Sequence, residues 1–179
     1  MLSLATECLP IGVELHPLVL HRDDRGGVVE VFRDEWNAGV RPLQWTVLSS
    51  NRAVMRGVHV HARHDDYVAV VHGWTSLGLR DLRPGSPTEG HACLLELRGA
   101  SPQALVVPHG VAHGLYFHEP TVFVLGTSAY FDPADELGCH WADPALEIPW
   151  PTGAAILSDR DAALPPLDVV RERMRPWPA

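Results

Sequence analysis

The chain has 179 residues, 46% hydrophobic and 20% charged, enough for one globular domain with a proper core and too few for two. Its formal net charge is -8 and it carries no basic run, so a nucleic acid or anionic membrane held by bulk electrostatics is excluded, whereas a local basic pocket for a phosphorylated small molecule is not. Three cysteines, Cys8, Cys93 and Cys139, share no metal-like spacing and read as reduced thiols of a cytoplasmic protein.

In chain order, "MLSLATECLPIGVELHPLVL" is apolar in patches, but acids and prolines interrupt it and no basic stretch precedes it. It reads as neither a signal peptide nor a membrane span. The turn-like "RDDRGG" leads into a strand over 27–32, and "DEWNAG" suggests one short helical turn. Strands follow over 44–49, 57–62, 67–73, 74–82, 92–98, 104–108, 114–118 and 121–131. The breaks "RPGSPTEG", "RGASPQ" and "FDPADELG" have turn chemistry, and "PPLDVVRERMRPW" suggests a C-terminal helix. Many short strands at regular spacing predict an all-β sandwich or barrel, one domain over 1–179 with few short helices. Trp36, Trp45, Trp141 and Trp150 read as packing residues, and Arg83 of "DLRPGSPTEG" and the arginines of the C-terminal "RERMRPW" as surface charges.

The segment "RGVHVHARHDDYVAVVHG", residues 56–73, concentrates histidine and aspartate. Strand alternation puts His59 and His61 on one face, with Val58 and Val60 on the other. Two imidazoles inside a barrel are costly unless each nitrogen has a partner. Asp66 lies five residues beyond His61, across an expected hairpin, and "PHGVAHG" adds His113 after a later turn. The bland alternative keeps His61 hydrogen-bonded in the barrel, with Asp66, His64 and His72 exposed in the hairpin.

The pattern H-x-H, then Asp66 and Gly73, then P-x-G-x-x-H at Pro108, Gly110 and His113, resembles the two motifs of the cupin superfamily. That resemblance implies a divalent metal on His59, His61, Asp66 and His113, a set suited to zinc or a first-row transition ion. "DDRGGVVEVF", "MRGVH", "DLRPGSPTEG", "VPHGVAHG", "YFDPADELGCHWADPALEIPWP" and "LSDRDAALPPL" are more specific. Together, over about residues 10–167, they resemble the dTDP-4-dehydrorhamnose 3,5-epimerases and related deoxysugar epimerases of that superfamily. The remaining residues, 168–179, form a C-terminal tail.

The family resemblance implies a cupin jelly-roll barrel and a homodimer formed through exchanged N-terminal strands. It also implies a metal-free reaction on a nucleotide-linked 4-keto-6-deoxysugar, in deoxysugar or secondary-metabolite biosynthesis. In that reaction a histidine held by an aspartate removes the proton alpha to the ketone, a lysine steadies the enolate, and a tyrosine reprotonates the opposite face. Carried over residue by residue, the base is His59 and its partner Asp161. Substrate contacts fall on Arg25, Glu30, Gln44, Arg56 and His113, with Glu30 reaching a neighbouring subunit. The lysine position falls on Asp66 and the tyrosine position on Leu125. Candidates for the second proton transfer are Tyr130, Tyr116 and His61. Other readings stay open beside the metal-free epimerase or isomerase. One is a metal-assisted enzyme; another is a tailoring enzyme (cyclase, dehydratase or isomerase) acting on a non-sugar natural product. The last is an inactive binding homologue.

Overall fold

The structure, a computed structural model, describes residues 9–174. The strands are β1 Glu14–Pro17, β2 Leu20–Asp23, β3 Gly26–Val29, β4 Gln44–Ser50, β5 Met55–Val60 and β6 Asp66–His72. They continue as β7 Trp74–Asp81, β8 Ala92–Arg98, β9 Gln103–Val107, β10 Val111–Phe117, β11 Thr121–Thr127 and β12 Leu137–Gly138. Two short helices follow, α1 Asp159–Ala162 and α2 Leu167–Met174. Two five-stranded sheets, ordered β1-β9-β6-β11-β4 and β12-β5-β10-β7-β8, face each other, and β2–β3 forms a separate hairpin. This is the all-β jelly-roll architecture expected of the sequence.

Alternation along the strands sorts three apolar layers. Between the sheets lie Val68 and Val70 of β6, Leu77 and Leu79 of β7, and Leu115 and Phe117 of β10. On the outside of the second sheet, Val58 and Val60 pack under Trp141, Leu146, Leu167 and Val170. On the outside of the first, Tyr67 and Ala69 pack under Ala38, Val40 and Phe32. The C-terminal helix expected in "PPLDVVRERMRPW" is α2, docked on the sheet with Val170 and Met174 buried, so residues 168–174 are part of the packed domain and not a tail.

Other expectations are corrected in the same way. No hairpin joins β5 to β6: β5 pairs with β10 and β12, β6 with β9 and β11, and residues 61–65 cross from one sheet to the other. The strand foreseen over 121–131 ends at Thr127, and that over 27–32 at Val29. β1 and β2 were not foreseen in "VELHPLVLH".

Arg83 is no surface charge. The carboxylate of Asp81, at the end of β7, accepts from Arg83 Nε at 2.9 Å and Nη2 at 2.7 Å, Ser86 Oγ at 2.8 Å and Thr88 Oγ1 at 2.6 Å. Arg83 Nη2 also donates to the Ile11 carbonyl, so one buried acid ties loop 83–90 to the N-terminal segment. Burial works to raise its pKa, but Arg83 and the hydroxyls outweigh burial and hold it at about 2 against an ordinary 3.8. A folded-state pKa below the unfolded one adds stability that is fully present above pH 3.8 and lost as pH falls towards 2. Asp81→Asn should therefore cost about 2 kcal/mol at neutral pH by linkage. In urea unfolding the difference from wild type should shrink over that acid window; a variant as stable as wild type at pH 7 would refute the assignment.

Candidate active site

A cavity of about 430 Å³ opens between the two sheets. His59, His61, His113, Asp66, Arg56 and Asp161 all line it. β5 and β10 supply one wall. His59 stands opposite His113 in register, but the pairing slips between His113 and Leu115, so Arg56 lies opposite Leu115. This bulge, at Gly57 with φ +100°, is why Arg56 and His59, three residues apart, both reach the cavity. Val58 and Val60 turn the other way, as alternation predicts.

His59 Nε2 lies 2.8 Å from Asp161 Oδ1. Asp161 comes from α1, whose first turn is capped by Ser158: the Asp161 N–H donates to Ser158 Oγ at 3.1 Å. Burial works to raise the Asp161 pKa, but His59, the Ser158 hydroxyl and the Gly57 N–H hold it below its ordinary value. The ionised carboxylate fixes the proton on Nε2 and leaves Nδ1 as the basic nitrogen. The Cδ2 edge of the ring backs onto Gly138 of β12, where a side chain would stand 2.6 Å from the Val58 carbonyl and 3.3 Å from His59 Cδ2. Arg56 is anchored through Nε to Ser50 Oγ at 2.7 Å and forms no ion pair among the described residues. Gln44 Oε1 accepts from the Phe131 N–H at 3.0 Å at the cavity wall.

Asp66 is not exposed. It is the first residue of β6 and faces inward like Val68, with 2% of its surface accessible. Its Oδ2 lies 3.3 Å from His61 Nε2 and 3.1 Å from His113 Nε2, and its Oδ1 lies 3.5 Å from His64 Nε2. The last contact is an ion-pair separation too long for a good hydrogen bond, so Oδ1 accepts none. Burial works to raise the Asp66 pKa, yet the three imidazoles hold it well below the ordinary carboxylate range. Burial likewise works against the imidazolium at His64, but Asp66 and Asp135 push its pKa up to about 9; Asp66 also raises His113. His64 is buried, against the expectation of an exposed hairpin histidine, whereas His72 is exposed.

The four-residue metal set is not assembled: His61, Asp66 and His113 converge, but His59 belongs to Asp161. Tyr130 is not in the cavity; its side chain is 73% exposed and the next residue, Phe131, lines the wall instead. Tyr116 packs on the outer apolar layer, and the Tyr67 hydroxyl donates to the Val31 carbonyl. None of the chain's three tyrosines therefore lines the cavity, and the chain contains no lysine at all. Leu125 does line it. Arg25 and Glu30 lie outside their own chain's cavity. Arg25 is 90% exposed at the tip of the β2–β3 hairpin, paired with Asp23, and Glu30 pairs with Arg33. Sequence reasoning missed Asp135, read as part of a turn. Buried at 2%, it accepts from the N–H groups of Ala62 and Arg63 at 2.8 and 3.1 Å and fixes the crossing segment.

A family model, that of dTDP-4-dehydrorhamnose 3,5-epimerase, matches residues 11–168. The chain belongs to this family. It is 37% identical over 138 residues to a dTDP-4-dehydrorhamnose 3-epimerase of Streptomyces niveus, a match that covers 74% of this chain and 66% of that one. It is 30% identical to the spore coat polysaccharide biosynthesis protein SpsL of Bacillus subtilis, over 79% of this chain and 96% of the relative. Among solved structures, ChmJ, a 3'-monoepimerase from Streptomyces bikiniensis crystallised as a double mutant with dTDP, superposes with a TM-score of 0.85 at 27% identity, covering 95% of this chain and 90% of that one. The resemblance drawn from the sequence implies that His59 and Asp161, 2.8 Å apart in the cavity, are the family's base and its partner, and that Asp66 and Leu125 stand at its lysine and tyrosine positions.

Proposed function

We propose that this family member is an epimerase acting at a single carbon of a nucleotide-linked 4-keto-6-deoxysugar, in deoxysugar or natural-product biosynthesis. The observation that carries this reading is the His59–Asp161 pair at 2.8 Å, held inside a cavity that offers no tyrosine. His59 Nδ1 removes the proton alpha to the C4 ketone, and Asp161 stabilises the imidazolium that forms. The electron pair moves to the ketone oxygen, which must meet positive charge or hydrogen-bond donors on the wall. With no lysine in the chain, those are Arg56 and the imidazole wall. With no tyrosine in the cavity, water on the face opposite His59 returns a proton to the same carbon, which inverts it and restores the ketone. Support for the substrate class comes from the relatives: one solved neighbour is a 4-keto-6-deoxy sugar epimerase from a novobiocin biosynthetic gene cluster. Another was crystallised with dTDP-4-keto-L-rhamnose.

The test is deuterium incorporation from heavy water into dTDP-4-keto-6-deoxyglucose. Exchange at one carbon is expected. Asp161→Asn should slow it about 10²- to 10⁴-fold, the usual worth of an oriented general base. Full turnover in that variant would sink the dyad, and no exchange in wild type would favour the non-sugar or binding readings. Leu125→Tyr places a hydroxyl on the wall where the family resemblance puts the second proton donor, so it should add exchange at a second carbon. An unchanged one-carbon pattern would show that more than Leu125 limits the reaction.

We further propose a homodimer that exchanges its N-terminal hairpins, and a cytoplasmic location, where thiols such as buried Cys139 persist. The hairpin β2–β3 joins neither main sheet and exposes Val28 at 68%, while β4 is a sheet edge that exposes Val47 at 72% on the face turned away from the cavity, which Thr46 and Leu48 line. An exchanged hairpin would bring Arg25 and Glu30 to the partner's substrate. Sedimentation should give twice the chain mass, and Arg25→Ala should raise KM about tenfold, the worth of one charge-assisted hydrogen bond. A monomer with unchanged KM would overturn the arrangement. No helix among the described residues is long and apolar enough to cross a membrane.

A further inference from the structure

A carbon that is inverted takes its new proton on the face opposite the one that lost it. His59 stands on β5 of one sheet, so the new proton arrives from the wall built by β4, β11 and β6 of the other. The pairing of those strands lays their inward-facing residues side by side in rungs. Leu48 lies opposite Phe123, Thr46 opposite Leu125, and Gln44 opposite Thr127. Leu125 and Thr127 lie in turn opposite Val68 and Asp66. The first rung is apolar, the second is apolar except for Thr46, and only the third is polar throughout.

The polar groups of this wall are not equally free. Asp66 is enclosed by His61, His64 and His113. The Thr127 hydroxyl donates to the Ala129 carbonyl at 2.7 Å, and Gln44 Oε1 accepts from the Phe131 N–H at 3.0 Å. That leaves the Gln44 amide nitrogen and the Thr46 hydroxyl, which has no hydrogen-bond partner among the described residues. Gln44 and Thr46 are two residues apart on one face of β4, and both are half-buried at the cavity wall. His61 does not compete for the role: its Nε2 faces Asp66, and its Nδ1 faces the Asp135 carbonyl and Glu136.

We propose that the Thr46 hydroxyl, with the Gln44 amide beside it, holds the water molecule that returns the proton to the substrate carbon on the face opposite His59. The inference rests on the one-carbon epimerase reading and assigns the second proton of that reaction. A held water needs two or more polar partners. Thr46 and Gln44 supply two, whereas Leu125, Val68, Leu48 and Phe123 around them supply none. One O–H bond of the water breaks as the enolate electron pair forms the new C–H bond, and the ketone is restored. The hydroxide left behind takes a proton from solvent and His59 gives its proton to solvent, so the protein ends as it began. Thr46 acts through the water and is a positioning residue.

The test separates exchange from inversion. In heavy water His59 returns a deuteron to the face from which it took the proton, which labels the substrate without inverting it; inversion alone needs the opposite wall. The measured quantity is the ratio of epimer formed to deuterium washed into recovered dTDP-4-keto-6-deoxyglucose, read by NMR. Thr46→Val keeps the shape and removes the hydroxyl. The ratio should fall about tenfold while exchange persists, the worth of one hydrogen bond to the water. Thr46→Ser should restore it. A damaged fold lowers exchange and inversion together and leaves the ratio alone, so an unchanged ratio in Thr46→Val overturns the proposal whatever the overall rate. A ratio that Thr46→Ser does not restore also overturns it, because the hydroxyl is then not the group at work. Wild type that neither exchanges nor inverts overturns the epimerase reading and this assignment with it. Wild type that does both, with the ratio kept in Thr46→Val, overturns the assignment alone.

Discussion

A strand can carry polar chemistry on one face only if its other face is buried as well; otherwise nothing fixes which face turns inward. β5 meets that condition because Val58 and Val60 are sealed by the C-terminal segment, through Trp141, Leu146 and α2. β6 meets it because Tyr67 and Ala69 are sealed by residues 31–40. With both outer faces covered, a one-residue slip of either strand would expose its apolar set, so the register is strongly specified. The directions of His59 and Asp66 follow from that. The segments least related to chemistry, the outer covers, therefore set the aim of the residues most related to it.

The same construction explains how charge is tolerated inside the barrel. Asp161 enters from a short helix beyond the sheets, with its carboxylate satisfied by His59, Ser158 and the Gly57 N–H. Asp66 enters from a strand and faces imidazoles alone. The first is a buried acid with a definite hydrogen-bonded role. The second is a buried acid that holds two neighbouring histidines, His64 and His113, above their ordinary pKa. One cavity thus carries two different solutions for a buried carboxylate, and the family resemblance accounts only for the first.

Much of this was legible in the chain. The period-2 runs mark most strands, and the order of six segments marks the family. Alternation gave the opposite facing of His59 and the valines around it. The resemblance also paired His59 with Asp161, 102 positions away. What stayed hidden depends on backbone irregularity and on crossings between sheets. No periodicity rule brings Arg56 to the side of His59, because only the bulge at Gly57 does so. The segment 61–65 looked like a hairpin, where His64 and Asp66 would be exposed. It is a crossing between two sheets, anchored by Asp135 from a stretch that reads as a turn.

The sequence by itself therefore determined the architecture, the family and the pairing of His59 with Asp161, since these rest on local periodicity and on motifs that survive as strings. The tertiary structure alone decided which polar groups share a pocket. It removed Tyr130 from the cavity, separated His59 from the Asp66 cluster, and left Arg25 outside its own chain's site. The physical reason is that a side chain's neighbours inside a barrel come from strands paired by hydrogen bonds across the two sheets. A shift of one residue in that pairing changes every neighbour while leaving the sequence pattern the same.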